Sequence, residues 1–171
     1  MKTLKIVALV LTIAFGANSF AQKSKTVVEN AIASKDHTTL VAAIKAAGLV
    51  ATLSGKGPFT VFAPTNAAFA KLPAGTLKSL LKPENKAKLQ AILTYHVVAG
   101  NLNSKAVIAA IKAGKGSAIL TTVQGGKLVG TVVGKNVVLT DEKGKKAIIT
   151  AVDIKSSNGV VHVIDSVVLP K

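Results

Sequence analysis

"NGVVHVIDSVVLP", residues 158–170, decides how the chain is read. It opens on Asn158-Gly159, the strongest short hairpin signal in the sequence, and runs on as apolar, β-branched text suited to a strand buried in a core. His162 and Asp165 interrupt that run, so the first question is whether they form a reactive pair. Alternate residues of a strand share a face. Val160, His162, Ile164, Ser166 and Val168 therefore point one way, and Val161, Val163, Asp165, Val167 and Leu169 the other. His162 and Asp165 face opposite sides and do not make an acid–base unit or bind one metal together. Ser166 shares the face of His162 but lies two pleats further along, outside nucleophile–base range. Both polar residues are expected to be hydrogen-bonded scaffold groups in a hairpin arm at the centre of the fold.

Working back from this stretch, "SAILTTV", "KLVGTVV", "NVVLT" and "KAIITAVDI" alternate as strands, separated by the turn text "QGG", "GK", "DEKGK" and "SSNG". The tip around Asp141-Glu142, with Lys143, Lys145 and Lys146, reads as a solvated basic turn. Upstream of Gly116 the pattern is mainly helical. Thr26 and Glu29 are spaced as a capping box, and Leu40, Ile44 and Ala47 share one stripe. "GKGPFTVFAPT" breaks the helices with one short strand, about Phe59 to Ala63, after which Thr65 caps "NAAFAKL". Pro83 suits the first turn of a helix through "ENKAKLQAILTYHVV", with Leu89, Ile92, Leu93 and His96 at helical spacing. Asn103 or Ser104 caps "KAVIAAIKAG", closed by Gly114. Helices first and antiparallel strands second predict an α+β domain. No internal repeat or linker divides it, so residues 22–171 are expected to form one domain.

The start of the chain reads differently. Lys2 and Lys5 precede an apolar run from Ile6 to Ala17 that is short for a membrane span, and Ser19-Phe20-Ala21 ends in small residues. Residues 1–21 are expected to be a signal peptide cleaved after Ala21, leaving a secreted, extracellular or periplasmic protein with no transmembrane segment. No cysteine occurs, so disulfides, thiol catalysis and cysteine-bound zinc are excluded. Every basic residue is lysine, and the formal net charge of +15 falls to +13 once Lys2 and Lys5 are removed. Such a surface attracts acidic polysaccharide, anionic headgroups or extracellular DNA. The absence of arginine, the residue of bidentate base and phosphate contacts, argues against sequence-specific nucleic-acid reading.

The remaining chemistry is sparse. His37 lies at a loop-to-helix start and reads as a solvated or capping residue, whereas His96 continues an apolar helix stripe and reads as a core histidine. Glu29, Asp36, Glu84, Asp141, Glu142, Asp153 and Asp165 are scattered, several in caps or turns. No nucleophile elbow, H-E-x-x-H or phosphate loop occurs. The expectation is a protein that is not an enzyme, with no catalytic residues, metal or cofactor.

Three ordered blocks carry a family resemblance. "FTVFAPTNAAF", residues 59–69, resembles the first signature block of the fasciclin-like domain family, and "NGVVHVIDSVVLP" resembles the second. Tyr95-His96 in "ILTYHVV" is similar to the family's Tyr-His element, and "LVAAIKAAGLVATL" to its usual helix. The resemblance spans about Lys25 to Pro170. It implies a β-sandwich or wedge of antiparallel strands with N-terminal helices packed around it. It also implies non-catalytic adhesion to cell-surface or matrix proteins or polysaccharides, in biofilm or host contact. The alternative is an exported lysine-rich binder of polyanions. The resemblance further implies ligand contacts at Tyr95, His96, Asp153 and Ile154, with Ala151-Val152 standing where the family often has acidic and proline residues. Phe59, Thr60, Phe62, Pro64, Thr65, Asn66, Asn158, Gly159, His162 and Asp165 are then structural-motif residues.

Overall fold

The computed structural model describes residues 24–171; the expected signal peptide and its cleavage site lie outside the described residues. The first helix, α1 (Val27–Ala33), begins at the expected capping box: Glu29 N–H donates to the Thr26 hydroxyl, and Thr26 N–H to the Glu29 carboxylate. A 3-10 turn at Lys35–His37 leads into α2 (Thr38–Ala47), which stops where Gly48 takes the left-handed conformation with φ 71°. Then follow α3 (Val50–Ser54), β1 (Phe59–Pro64), α4 (Asn66–Ala70) and α5 (Thr76–Leu80). The chain continues through α6 (Lys86–Tyr95), β2 (Val97–Ala99) and α7 (Ser104–Ala113), the last capped by Asn103. Five strands close it: β3 (Ser117–Thr121), β4 (Lys127–Val133), β5 (Asn136–Thr140), β6 (Lys146–Ser156) and β7 (Gly159–Ile164).

The strands form one seven-stranded sheet in the order β2-β1-β7-β6-β5-β4-β3. Its outer ends curl towards each other, because Val98 of β2 bridges Thr122 just beyond β3. The α+β class holds, but the sheet is mixed. β1 runs parallel to β7, from Phe59 opposite Gly159 to Pro64 opposite Ile164. That pairing joins the two blocks quoted above, which are a hundred residues apart, and local periodicity carries no trace of it. The expected helix through Val98 also stops early: it ends at Tyr95, and Val97–Ala99 pairs antiparallel with β1. Two valines after a helix fit either state, and the edge of β1 decides between them.

β1 and β7 explain why their text is apolar almost throughout. Each is covered on both faces, the usual reason for a continuous apolar run. Val61, Ala63 and Val161 enter a core with Leu40, Ile44, Leu89 and Ile92 from the helices. Phe62 and Ile164 enter a second core with Tyr95, Val107, Leu128 and Leu139. The even and odd positions of the opening stretch therefore part as alternation requires, although β7 itself ends at Ile164. The β6–β7 hairpin has Ser156 opposite Gly159, so its turn residues are Ser157-Asn158, one place earlier than Asn158-Gly159 suggests. Gly159 is needed for another reason: a Cβ there would lie on the Phe59 carbonyl of the adjoining β1.

Candidate functional site

Tyr95 and His96 close α6, with side chains fully enclosed at 0% and 2% exposure. The Tyr95 hydroxyl donates to the Lys127 carbonyl at 2.7 Å and accepts from Glu142 N–H at 3.3 Å. Burial, and then the nearby Glu142 and Asp141 carboxylates, hold that hydroxyl above the ordinary tyrosine pKa, against the opposing effect of the Glu142 N–H. His96 donates from Nδ1 to the Ile92 carbonyl at 2.8 Å and accepts at Nε2 from Val168 N–H at 3.3 Å. A carbonyl only accepts and an amide only donates, so the ring is the neutral Nδ1–H tautomer. Its complete burial lowers the pKa to about 4, although the Ile92 carbonyl and the Asp141 charge pull the other way.

The turn expected to be solvated completes this network. Asp141 is buried, its Oδ1 accepting from Lys143 and Lys145 N–H and its Oδ2 from Leu169 N–H. Glu142 accepts from Lys127 N–H and Lys171 N–H. His96 and Asp141 thus hold consecutive amides, Val168 and Leu169, and clamp residues 167–171 between α6 and the β5–β6 turn. The Asp-to-i+2 amide bond is an Asx-turn, and "DEKG" carries that signal. The docking onto Tyr95 has no local signal.

Asp153 and Ile154 belong to a different network. β6 slips in register between Ile149 and Ile154, and Asp153 sits in this irregular segment with φ 59°, a left-handed conformation that Asp adopts more readily than most residues. Its carboxylate accepts from the backbone N–H and the hydroxyl of Ser104, the first residue of α7. Those two hydrogen bonds, the hydroxyl's first, draw its pKa below the usual carboxylate range, against a smaller opposing effect of burial. Asp153 N–H donates to Nδ1 of His162, whose Nε2–H donates to the Leu102 carbonyl at 2.7 Å, which assigns a neutral ring. Phe62 stacks on that ring, with centroids 5.7 Å apart. Ile154 is 38% exposed beside Val152 at 46%. Asp153 also borders a shallow cavity of about 380 Å³ with Asn103, Lys105 and Lys155.

The motif residues act as clips. Thr60 donates to the Gly100 carbonyl and accepts from Leu102 N–H. Asn66 accepts from Thr39 N–H and donates to the Lys35 carbonyl, while Thr65 accepts from Ala68 N–H. Asn158 accepts from Val27 N–H and donates to the Leu53 and Gly55 carbonyls, tying α1 and α3 to the β6–β7 turn. Asp165 accepts from Ile148 N–H and from Lys71 Nζ at 3.2 Å. Burial raises its pKa, but the Ile148, Lys71 and Ser166 contacts outweigh this and the net shift is downward. His162 and Asp165 share no partner. His37 departs from expectation: it is buried, with Nδ1 on the Ser34 hydroxyl at 2.8 Å, and desolvation lowers its pKa. Among the described residues no three His, Asp or Glu side chains gather to hold a metal.

The family model for the fasciclin domain matches residues 35–170. The chain belongs to the fasciclin domain family. Protein sll1483 of Synechocystis sp. is 50% identical over 146 residues, covering 85% of this chain and 73% of its own length. The cell surface glycolipoprotein MPB83 of Mycobacterium bovis is 39% identical over 122 residues, covering 71% of this chain and 48% of its own. A solved pair of such domains from the insect cell adhesion molecule fasciclin I superposes with a TM-score of 0.75 at 21% identity. It covers 86% of this chain, which spans about half (51%) of the solved one. Among the described residues no helix is long and apolar enough to cross a membrane. Within this fasciclin domain the four candidate ligand residues are not brought together. Tyr95 and His96 offer no surface, whereas Asp153 and Ile154 lie at the surface on a locked bulge.

Proposed function

We propose that this fasciclin domain is an exported, non-catalytic adhesion module that binds cell-surface or matrix polymers through the irregular segment of β6. The observation that carries this reading is the exposed pair Val152 and Ile154, held on a segment that His162 and Ser104 fix from behind. An apolar surface that does not rearrange on binding loses little conformational entropy when a partner covers it. Tyr95 and His96 serve the same function from inside, by setting α6 and the C-terminal segment against the sheet. The chain's likeness to the cell surface glycolipoprotein MPB83 and to the cell adhesion molecule fasciclin I supports the reading.

The test is attachment of a deletion strain to surfaces and matrix, restored by the wild-type gene and not by Ile154→Ser. Full restoration by Ile154→Ser refutes the assignment of the binding surface. The lysine-only charge favours a second reading, in which polyanion attraction is itself the function. Purely ionic binding collapses between low and physiological salt, while an apolar contact largely survives. A salt titration of the purified protein on matrix separates the two.

A further inference from the structure

The C-terminal clamp has a second consequence, on its outer side. α5 presents Thr76, Ser79 and Leu80, and α6 presents Lys88, Ala91 and Ile92, each at i, i+3 and i+4, to one groove of about 580 Å³. The third wall is the segment that His96, Asp141 and Glu142 hold in place, ending in Leu169, Pro170 and Lys171. The volume lies in the range of small-molecule sites, which are apolar with a few placed polar groups. Leu80, Ile92, Leu169 and Pro170 supply the apolar lining, and Lys88, Lys143 and Lys171 the charge. None of the lining residues is acidic. The nearest acids along the chain are already engaged: Glu142 accepts from Lys127 and Lys171 N–H, and Glu84 pairs with Lys82 at 3.4 Å.

We propose that this groove binds one molecule of a single-chain amphipathic anion, a long-chain carboxylate, with the hydrocarbon along Leu80, Ile92, Leu169 and Pro170 and the carboxylate among the three lysines. Two features select this occupant. Thr76, Ser79, Asn85 and Gln124 also line the groove, but Asn85 is engaged with Ser79 and Gln124 with Gly126 N–H. The strip of Leu80, Ala91, Ile92, Leu169 and Pro170 therefore favours an alkyl chain over a sugar, whose hydroxyls need polar partners. Three lysine heads beside that lining, with no acidic side chain among the lining residues to pair with them, favour a negative head group over a neutral one. The occupant is a free monomer, because a groove walled on three sides takes a single chain and not a bilayer face.

The experiment titrates the purified protein with monomeric dodecanoate by calorimetry, alongside acetate, dodecanol and phosphatidylglycerol vesicles. Saturable one-to-one binding of dodecanoate is expected, with acetate and dodecanol each weaker by about tenfold or more. The K88Q/K143Q/K171Q variant weakens dodecanoate about tenfold. The K25Q/K35Q/K45Q variant, which removes the same charge from exposed positions outside the groove, stays within about twofold of wild type. Ala91→Phe fills the groove and abolishes binding; should it melt early, Ser79→Phe at an exposed lining position does the same in a folded protein. Any one of four results overturns the proposal: no saturable dodecanoate binding, dodecanol binding as tightly, equal weakening by the two lysine triples, or association with vesicles alone.

Discussion

Tyr95-His96 and Asp153-Ile154 are both short pairs of one polar and one bulky residue, and they end up on opposite sides of the packing. The first pair closes a helix that drops straight into a buried edge strand, so both side chains are swallowed and every polar atom is met by backbone. The second lies where β6 slips in register: Ile154 continues the exposed face of Ile148, Thr150 and Val152, while Asp153 stays tethered to α7. Surface presentation here follows from the open face of a strand, and enclosure from a helix end packed into the core.

The largest effect that sharpens this contrast is Tyr95→Ala. It empties a fully buried ring site and strands the Lys127 carbonyl and Glu142 amide, with an expected loss of about 3–5 kcal/mol by urea unfolding. Next is the pH dependence set by His96. Its folded pKa of about 4 lies below the unfolded value of 6.5, so the unfolded chain binds the extra proton between them. Stability is therefore full above pH 6.5 and falls as pH drops towards 4, by about 3 kcal/mol over the window. Unfolding at pH 7 and 4.5 measures it, and His96→Gln flattens the slope. A slope unchanged in that variant would place the acid sensitivity elsewhere.

On the surface side the effects shrink. Asp153→Ala puts an unfavourable residue at φ 59° and removes both Ser104 contacts, whereas Asp153→Asn tolerates the conformation and still accepts a hydrogen bond. The alanine variant is expected to be the less stable of the two by about 1 kcal/mol in parallel melts. Ile154→Ser comes last, within about 0.5 kcal/mol of wild type, because its side chain is already partly in water. A large loss there would erase the distinction between the enclosed and the presented pair.

The fold was legible wherever the cause was local. Thr26, Thr65 and Asn103 cap the helices that their own spacing announces, because a cap involves residues only three apart. Strands β3 to β7 follow from alternation broken by turns. The opacity lay in partners far along the chain. The "DEKGK" turn looks solvated until Leu169 and Tyr95 reach it. His37 looks like a loop residue until the core closes over it. Of the candidate ligand pairs, the sequence supplied the residue types but not the packing that encloses one and leaves the other exposed.

By itself the sequence determined the α+β class, the family and the caps. Each depends on spacing within a few residues or on blocks of text read in order. Only the tertiary structure decided that β1 lies parallel to β7, that Tyr95 and His96 are sealed while Ile154 is presented, and that a lysine-flanked groove forms beside residues 167–171. Those outcomes come from contacts between segments tens of residues or more apart, and one-dimensional periodicity holds no record of which distant edge or carbonyl completes a hydrogen bond.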